Sequence, residues 1–164
     1  MAIKLPNTIK FVITDFDGIV TDNCVYIDEN GHMSRKLNFK DVMAFSLLRK
    51  NGFKIGIISG EKNSAIELIS KKFQIEEVHQ DIRIKLDVIK SIIEKYKLSL
   101  DEVLYIGDDV NDYDSLSFVK YKITVPEAIQ KIKSIEGIQI TTASCGNGAF
   151  REVVDALISN KTML

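Results

Sequence analysis

The chain has 164 residues and balances 22 Lys and Arg against 23 Asp and Glu, a net charge of −1, so no global field favours nucleic acid or an anionic membrane. Its length fits one domain over residues 1–164 with a sizeable core, and no apolar run approaches the ~20 residues a bilayer span needs. Two cysteines are too few for a disulfide framework, and the first six residues lack the apolar stretch of a secretory signal, so a reduced cytoplasmic protein is expected.

In chain order, the apolar residues 9–13 predict a buried strand that ends in Asp15-Phe16-Asp17-Gly18. Residues 24–27 and 32–39 flank an Asn30-Gly31 turn and predict a β-hairpin. Asp41 then looks like the N-cap of a helix that carries Phe45, Leu47 and Leu48. Residues 53–58 form a continuous apolar strand closed by Ser59-Gly60, followed by a helix with Ala65, Ile66 and Ile69 on one face. A brief strand at Val78-His79, a helix over 84–96 and a buried strand over 103–106 lead to Gly107-Asp108-Asp109. A short helix, a strand over 122–125, a helix opened by Pro126, a strand over 138–140 and a helix over 149–159 complete the alternation. Strands alternating with helices predict an α/β, Rossmann-like domain, its mostly parallel sheet covered on both faces. The hairpin leaves that sheet just after the first acids, so it is expected to overhang their crevice as a flap.

Chemistry gathers where strands end. Asp15 and Asp17 sit at a strand's carboxyl end, where open α/β sheets place ligands. Ser59 fits a phosphate contact and equally a helix cap. Lys85 fits a surface lysine or the partner of a transferring phosphate. Asp108, Asp109, Asn111 and Asp112 crowd acids that repel unless a cation or donors lie among them. Oxygen-only ligands with open positions suit Mg²⁺, and a capped helix N-terminus is the other reading.

Asp15-x-Asp17-Gly18-x-x-Thr21-Asp22, Ser59-Gly60, Lys85 and Gly107-Asp108-Asp109-x-x-Asp112 together resemble, in order, the four motifs of the haloacid dehalogenase-like phosphatases. The resemblance implies that Asp15 attacks phosphorus to form an aspartyl-phosphate and that Asp17 protonates the leaving alcohol, then activates water. It implies Mg²⁺ held by Asp15, the main-chain carbonyl of Asp17 and Asp108, with Asp109 and Asp112 orienting its shell and Lys85. Phosphate would be bound by Ser59, Gly60 and Lys85. The hairpin, about residues 24–39, stands where other members insert a cap. That resembles the capless subgroup acting on phosphorylated 2-keto-3-deoxy sugar acids, in which such hairpins build a homotetramer.

Asn38, Phe39, Lys40 and Asp41 resemble that subgroup's substrate segment. Gly146, Gly148 and Arg151 resemble its Gly-rich tail, which reaches a neighbour's site. Asn23 stands where Gly is usual, and Cys145 and Asn147 depart within the tail. Eight-carbon (3-deoxy-D-manno-octulosonate 8-phosphate) phosphatases carry Arg after the second-motif Gly, whereas this chain has Glu61, with Lys72 further along the helix. That pair resembles the nine-carbon branch, acting on keto-deoxy-nonulosonate or N-acylneuraminate 9-phosphate, and the nine-carbon substrate is the expectation. The eight-carbon substrate is its alternative. A non-catalytic oligomerisation module associated with a sialic-acid cytidylyltransferase is a further one, against which the retained acids and Lys85 speak.

Overall fold

A computed structural model describes residues 2–161; Met1 and residues 162–164, inside the expected domain, lie outside them. The first strand, β1 (Phe11–Thr14), is buried at every position, as its unbroken apolar run requires of a strand with layers on both faces. Two short strands, β2 (Tyr26–Ile27) and β3 (Met33–Ser34), form the hairpin. Then follow α1 (Phe39–Lys50), β4 (Lys54–Ile58), α2 (Ser64–Phe73), β5 (Glu77–His79), α3 (Lys85–Tyr96) and β6 (Val103–Ile106). The chain closes with α4 (Tyr113–Phe118), β7 (Tyr121–Thr124), α5 (Gln130–Lys133), β8 (Gln139–Ile140) and α6 (Ala149–Lys161).

The six-stranded sheet runs β5-β4-β1-β6-β7-β8, and every pairing in it is parallel. Chain direction across the sheet reverses between β1 and β6, which opens a crevice beyond their carboxyl ends. Helices flank the sheet: α1 packs on α6, α2 and β4, while α4 packs on α3, α5 and β6. Phe45 joins three of them, its ring 4.7 Å from Phe150 of α6 and 6.0 Å from Phe73 of α2. No helix among the described residues is long and apolar enough to cross a membrane.

Three local expectations change. The hairpin ladder is much shorter than residues 24–39 suggest, because both faces of β2 and β3 are exposed and no sheet neighbour supports them; a single Thr21–Leu37 bridge closes its base. Pro126 opens a turn, with the Ala128 amide donating to Val125 O (3.1 Å), and the helix starts four residues later. Asn38, not Asp41, caps α1: its side chain accepts from the Lys40 amide. Asp41, fully buried, instead accepts from the amides of Gly148 (2.8 Å) and Arg151 (3.0 Å), and so caps α6.

Candidate active site

Parallel pairing carries β1 one residue past its last ladder position, where the Asp15 amide donates to Ile106 O (2.8 Å). The backbone then turns, with Gly18 at φ +88. Asp15 and Asp17 line one cleft of about 410 Å³, with Ser59, Gly60, Glu61, Asp108 and Asp109. Gly18 is needed here for space as well as for its dihedral. A Cβ on it would lie 2.2 Å from Asp108 Oδ2, so the turn presses directly on the second acidic loop. Asn23, at the position usually held by Gly, adopts φ +62; Asn tolerates that left-handed conformation better than most residues.

Lys85 begins α3, yet its side chain is wholly buried and bridges Asp15 Oδ2 (2.7 Å) and Asp112 Oδ1 (2.8 Å). Burial alone pulls the lysine pKa down, but the two carboxylates outweigh it and hold it above the usual value. The lysine is therefore part of the site, not of the surface. Asp112 is saturated: Lys85 and the Tyr105 hydroxyl share Oδ1, while the amides of Asp108 (3.0 Å) and Asp109 (3.3 Å) donate to Oδ2. Asp109 in turn accepts from the Val110 amide and caps the short 3₁₀ turn at Val110–Asp112.

One oxygen from each of Asp15, Asp108 and Asp112 lies within 4.8 Å of the other two. Burial, then the charge of Asp112, raises the Asp15 pKa well above the ordinary range, against the pull of Lys85. Burial, then Asp112 and Asp109, lifts Asp108 to about 7. Asp108 Oδ1 is buried without a hydrogen-bond partner. An all-oxygen donor set, an orphaned carboxylate oxygen and crowded negative charge fit a hard divalent cation. Since Asp112 is occupied by donors, Asp15 and Asp108 are the side chains with capacity left for it.

Ser59 is buried at the end of β4. Its Oγ accepts from the Glu61 amide (3.2 Å), which leaves the hydroxyl hydrogen for an oxygen in the cleft. Among the specificity candidates, Glu61 lines the cleft, whereas Asn38, Phe39, Lys40, Asp41 and Lys72 are not among its lining residues. Lys72 is exposed, its ammonium 5.5 Å from the centre of the Phe73 ring. Gly146 wedges against its own chain, where a Cβ would lie 2.3 Å from the Asp22 amide nitrogen. Gly148 is held by Asp41, and the Arg151 side chain pairs with Asp155 (2.7 Å).

The structure adds residues to which motif spacing gave no clue. Arg35, just after β3, donates from Nε to Asp17 Oδ1 (2.9 Å). Tyr105 reads as one more apolar residue of β6, yet its hydroxyl reaches Asp112. Arg83 lines the cleft beside Asn23 and Asn111, which the motifs already contained, and is the one cation among its described lining residues. Arg83 stands two residues before Lys85, beyond a left-handed turn at Asp81 (φ +58).

The family model for haloacid dehalogenase-like hydrolases matches residues 58–151. The 3-deoxy-D-manno-octulosonate 8-phosphate phosphatase of Escherichia coli is 27% identical over 150 residues, 92% of this chain and 79% of that protein. A crystal structure of the phosphatase of that name from Moraxella catarrhalis, in complex with magnesium ion, phosphate ion and a KDO molecule, superposes with a TM-score of 0.88 at 26% identity, covering 94% of this chain and 88% of that one. A structure described as a probable YrbI-family phosphatase from Pseudomonas syringae is 30% identical with a TM-score of 0.89, covering 96% and 89%. The chain belongs to the haloacid dehalogenase-like hydrolases. Its enzyme class is phosphoric monoester hydrolase.

Proposed function

We propose that the chain hydrolyses the phosphomonoester of a 2-keto-3-deoxy sugar acid, with 3-deoxy-D-manno-octulosonate 8-phosphate as the substrate and Mg²⁺ as the cofactor. The observation that carries the chemistry is the convergence of Asp15, Asp17 and Asp108 on one cleft, with Lys85 buried against Asp15. In this reading Asp15 attacks phosphorus and forms the aspartyl-phosphate while Asp17 protonates the departing alkoxide. Asp17 then takes a proton from the water that hydrolyses the intermediate. Ser59 and the Gly60 backbone receive phosphate oxygens, and Lys85 keeps Asp15 aimed while balancing its charge. Asp15, Asp108 and the main-chain carbonyl of Asp17 would hold Mg²⁺, which when bound offsets negative charge between phosphate and carboxylates.

Two observations favour eight carbons over the nine-carbon substrate expected from Glu61 and Lys72. Relatives covering most of the chain are named as eight-carbon phosphatases, and Lys72 does not line the cleft, so the pair on which the other expectation rested is split. Exposed Ile27 and Met33 on the flap, 65% and 62% accessible, support a homotetramer built through it. Light scattering of wild type and Ile27→Asp tests that assembly; a variant that stays tetrameric defeats it. For the activity, kcat/KM with Mg²⁺ is compared for eight- and nine-carbon phosphates in wild type and Asp15→Asn. Preference for the eight-carbon ester, abolished in the variant, is the expected result; a preference for nine carbons overturns the substrate, and phosphate release that persists in Asp15→Asn overturns the mechanism.

A further inference from the structure

Most of the flap is solvent-exposed: Met33, Ser34 and Lys36 all face water. Arg35 between them is different, with only 9% of its side chain accessible. It turns inward and donates from Nε to Asp17 Oδ1 at 2.9 Å. The Thr21 hydroxyl donates to the same oxygen at 3.0 Å. Thr21 has little choice in this, because its oxygen faces the amides of Gly18 (3.3 Å) and Asn23 (3.4 Å) and its hydrogen is left for the carboxylate. Asp17 Oδ1 thus faces two donors, one of which carries a permanent charge. Asp17 Oδ2 is buried and has no hydrogen-bond partner.

This asymmetry bears on the reaction. A proton on Oδ1 would face two N–H or O–H donors, whereas a proton on Oδ2 meets none. We infer that Arg35 is a positioning residue which, acting from the flap, holds Asp17 by Oδ1 so that Oδ2 gives and takes the proton during phosphoryl transfer. The inference rests on the acid–base reading of Asp17. As Asp15 bonds to phosphorus and the bond from phosphorus to the ester oxygen breaks, the Oδ2 proton passes to that oxygen and the alcohol leaves. When water attacks the aspartyl-phosphate, its proton returns to Oδ2, the bond between Asp15 and phosphorus breaks, and inorganic phosphate is released. The flap is thereby tied to the chemistry by a part-buried ion pair, not merely draped over the cleft.

Leaving-group dependence separates this role from a structural one. Because kcat/KM reports steps up to alcohol release, an ester of a poor alkyl leaving group needs the acid, and 4-nitrophenyl phosphate scarcely does. For Arg35→Gln, kcat/KM on the sugar-acid phosphate is expected to fall about tenfold or more, with less than about a threefold change on the nitrophenyl ester. Arg35→Lys, which keeps a cationic donor, is expected to recover part of the loss, and Lys36→Gln, the next residue of the flap, to show no bias between substrates. Equal losses on both esters, or no loss on either, overturn the role of Arg35. Asp17→Asn run alongside distinguishes the two levels: if it too lacks the leaving-group bias, the acid–base reading of Asp17 fails and the Arg35 inference with it.

Discussion

Gly18 sits where any Cβ would overlap the Asp108 carboxylate, at a φ that L side chains avoid. Gly18→Ala is therefore expected to displace Asp108, with backbone strain of about 1–3 kcal/mol and a large fall in kcat; assays paired with thermal melts check it, and near-normal activity would count against the cradle. Arg83 is the other informative position. Five carboxylates line the cleft, from Asp15, Asp17, Glu61, Asp108 and Asp109, with this one guanidinium among the described residues. A substrate bearing phosphate and carboxylate needs a cation there, so Arg83→Gln is expected to raise KM by about tenfold on sugar-acid phosphates. The change should be much smaller on a phosphate ester lacking a carboxylate, and equal effects would place Arg83 on the phosphate instead.

The motif acids were legible in the sequence because each stands at a strand end marked by glycine: Asp15 and Asp17 before Gly18, Asp108 after Gly107. Arg35 and Tyr105 were not, since one lies on a polar hairpin and the other in an apolar strand. Nothing local shows that either side chain turns toward a carboxylate formed elsewhere. Asp41 was misread for a related reason. Acids early in a helix favour its own N-terminus on dipole grounds, and no nearby residue reveals the amides of Gly148 and Arg151 that hold this one.

Elements are joined by a few buried polar contacts and by aromatic packing. Glu77 on β5 meets Lys95 (2.5 Å) and the Tyr96 hydroxyl (2.9 Å) of α3, and His79 on its own strand (2.9 Å). Burial alone would raise its pKa, but those partners bring it down to about 2. A depressed carboxylate stabilises the fold above the unfolded pKa near 4.5, and the contribution disappears as pH falls toward 2. Because Lys95 stands largely in water, about 1–2 kcal/mol is expected, not the full linkage value. Urea unfolding of wild type and Glu77→Gln should show that gap at pH 7 and lose most of it near pH 2; a gap independent of pH would refute it. In the core, Phe45→Ala removes the ring shared by α1, α2 and α6, and a loss of about 3–5 kcal/mol is expected in the same experiment.

For the molecule as a whole, the cleft exists because four loops from separate crossovers end at one edge of the sheet, above the reversal between β1 and β6. Crowded acids there make the apo site electrostatically unfavourable and a cation stabilising. Mg²⁺ at a hundred times its Kd is expected to add about 2.7 kcal/mol to wild-type stability, and much less to Asp108→Asn. Melting curves with and without EDTA measure this, and equal stabilisation of both proteins would move the ion elsewhere.

Alternation of apolar strands with amphipathic helices was written locally, as were the glycine-marked acids, and those two patterns suffice for the parallel sheet and for which loops share its edge. Which partners those loops acquire is a different kind of information. The burial of Lys85 between Asp15 and Asp112, the grip of Arg35 on Asp17, the removal of Asp41 to the cap of α6 and the exclusion of Lys72 from the cleft all depend on atoms far apart in the chain. Periodicity and turn chemistry act over a few residues, whereas hydrogen bonding and desolvation act on whatever folding brings within about 3 Å.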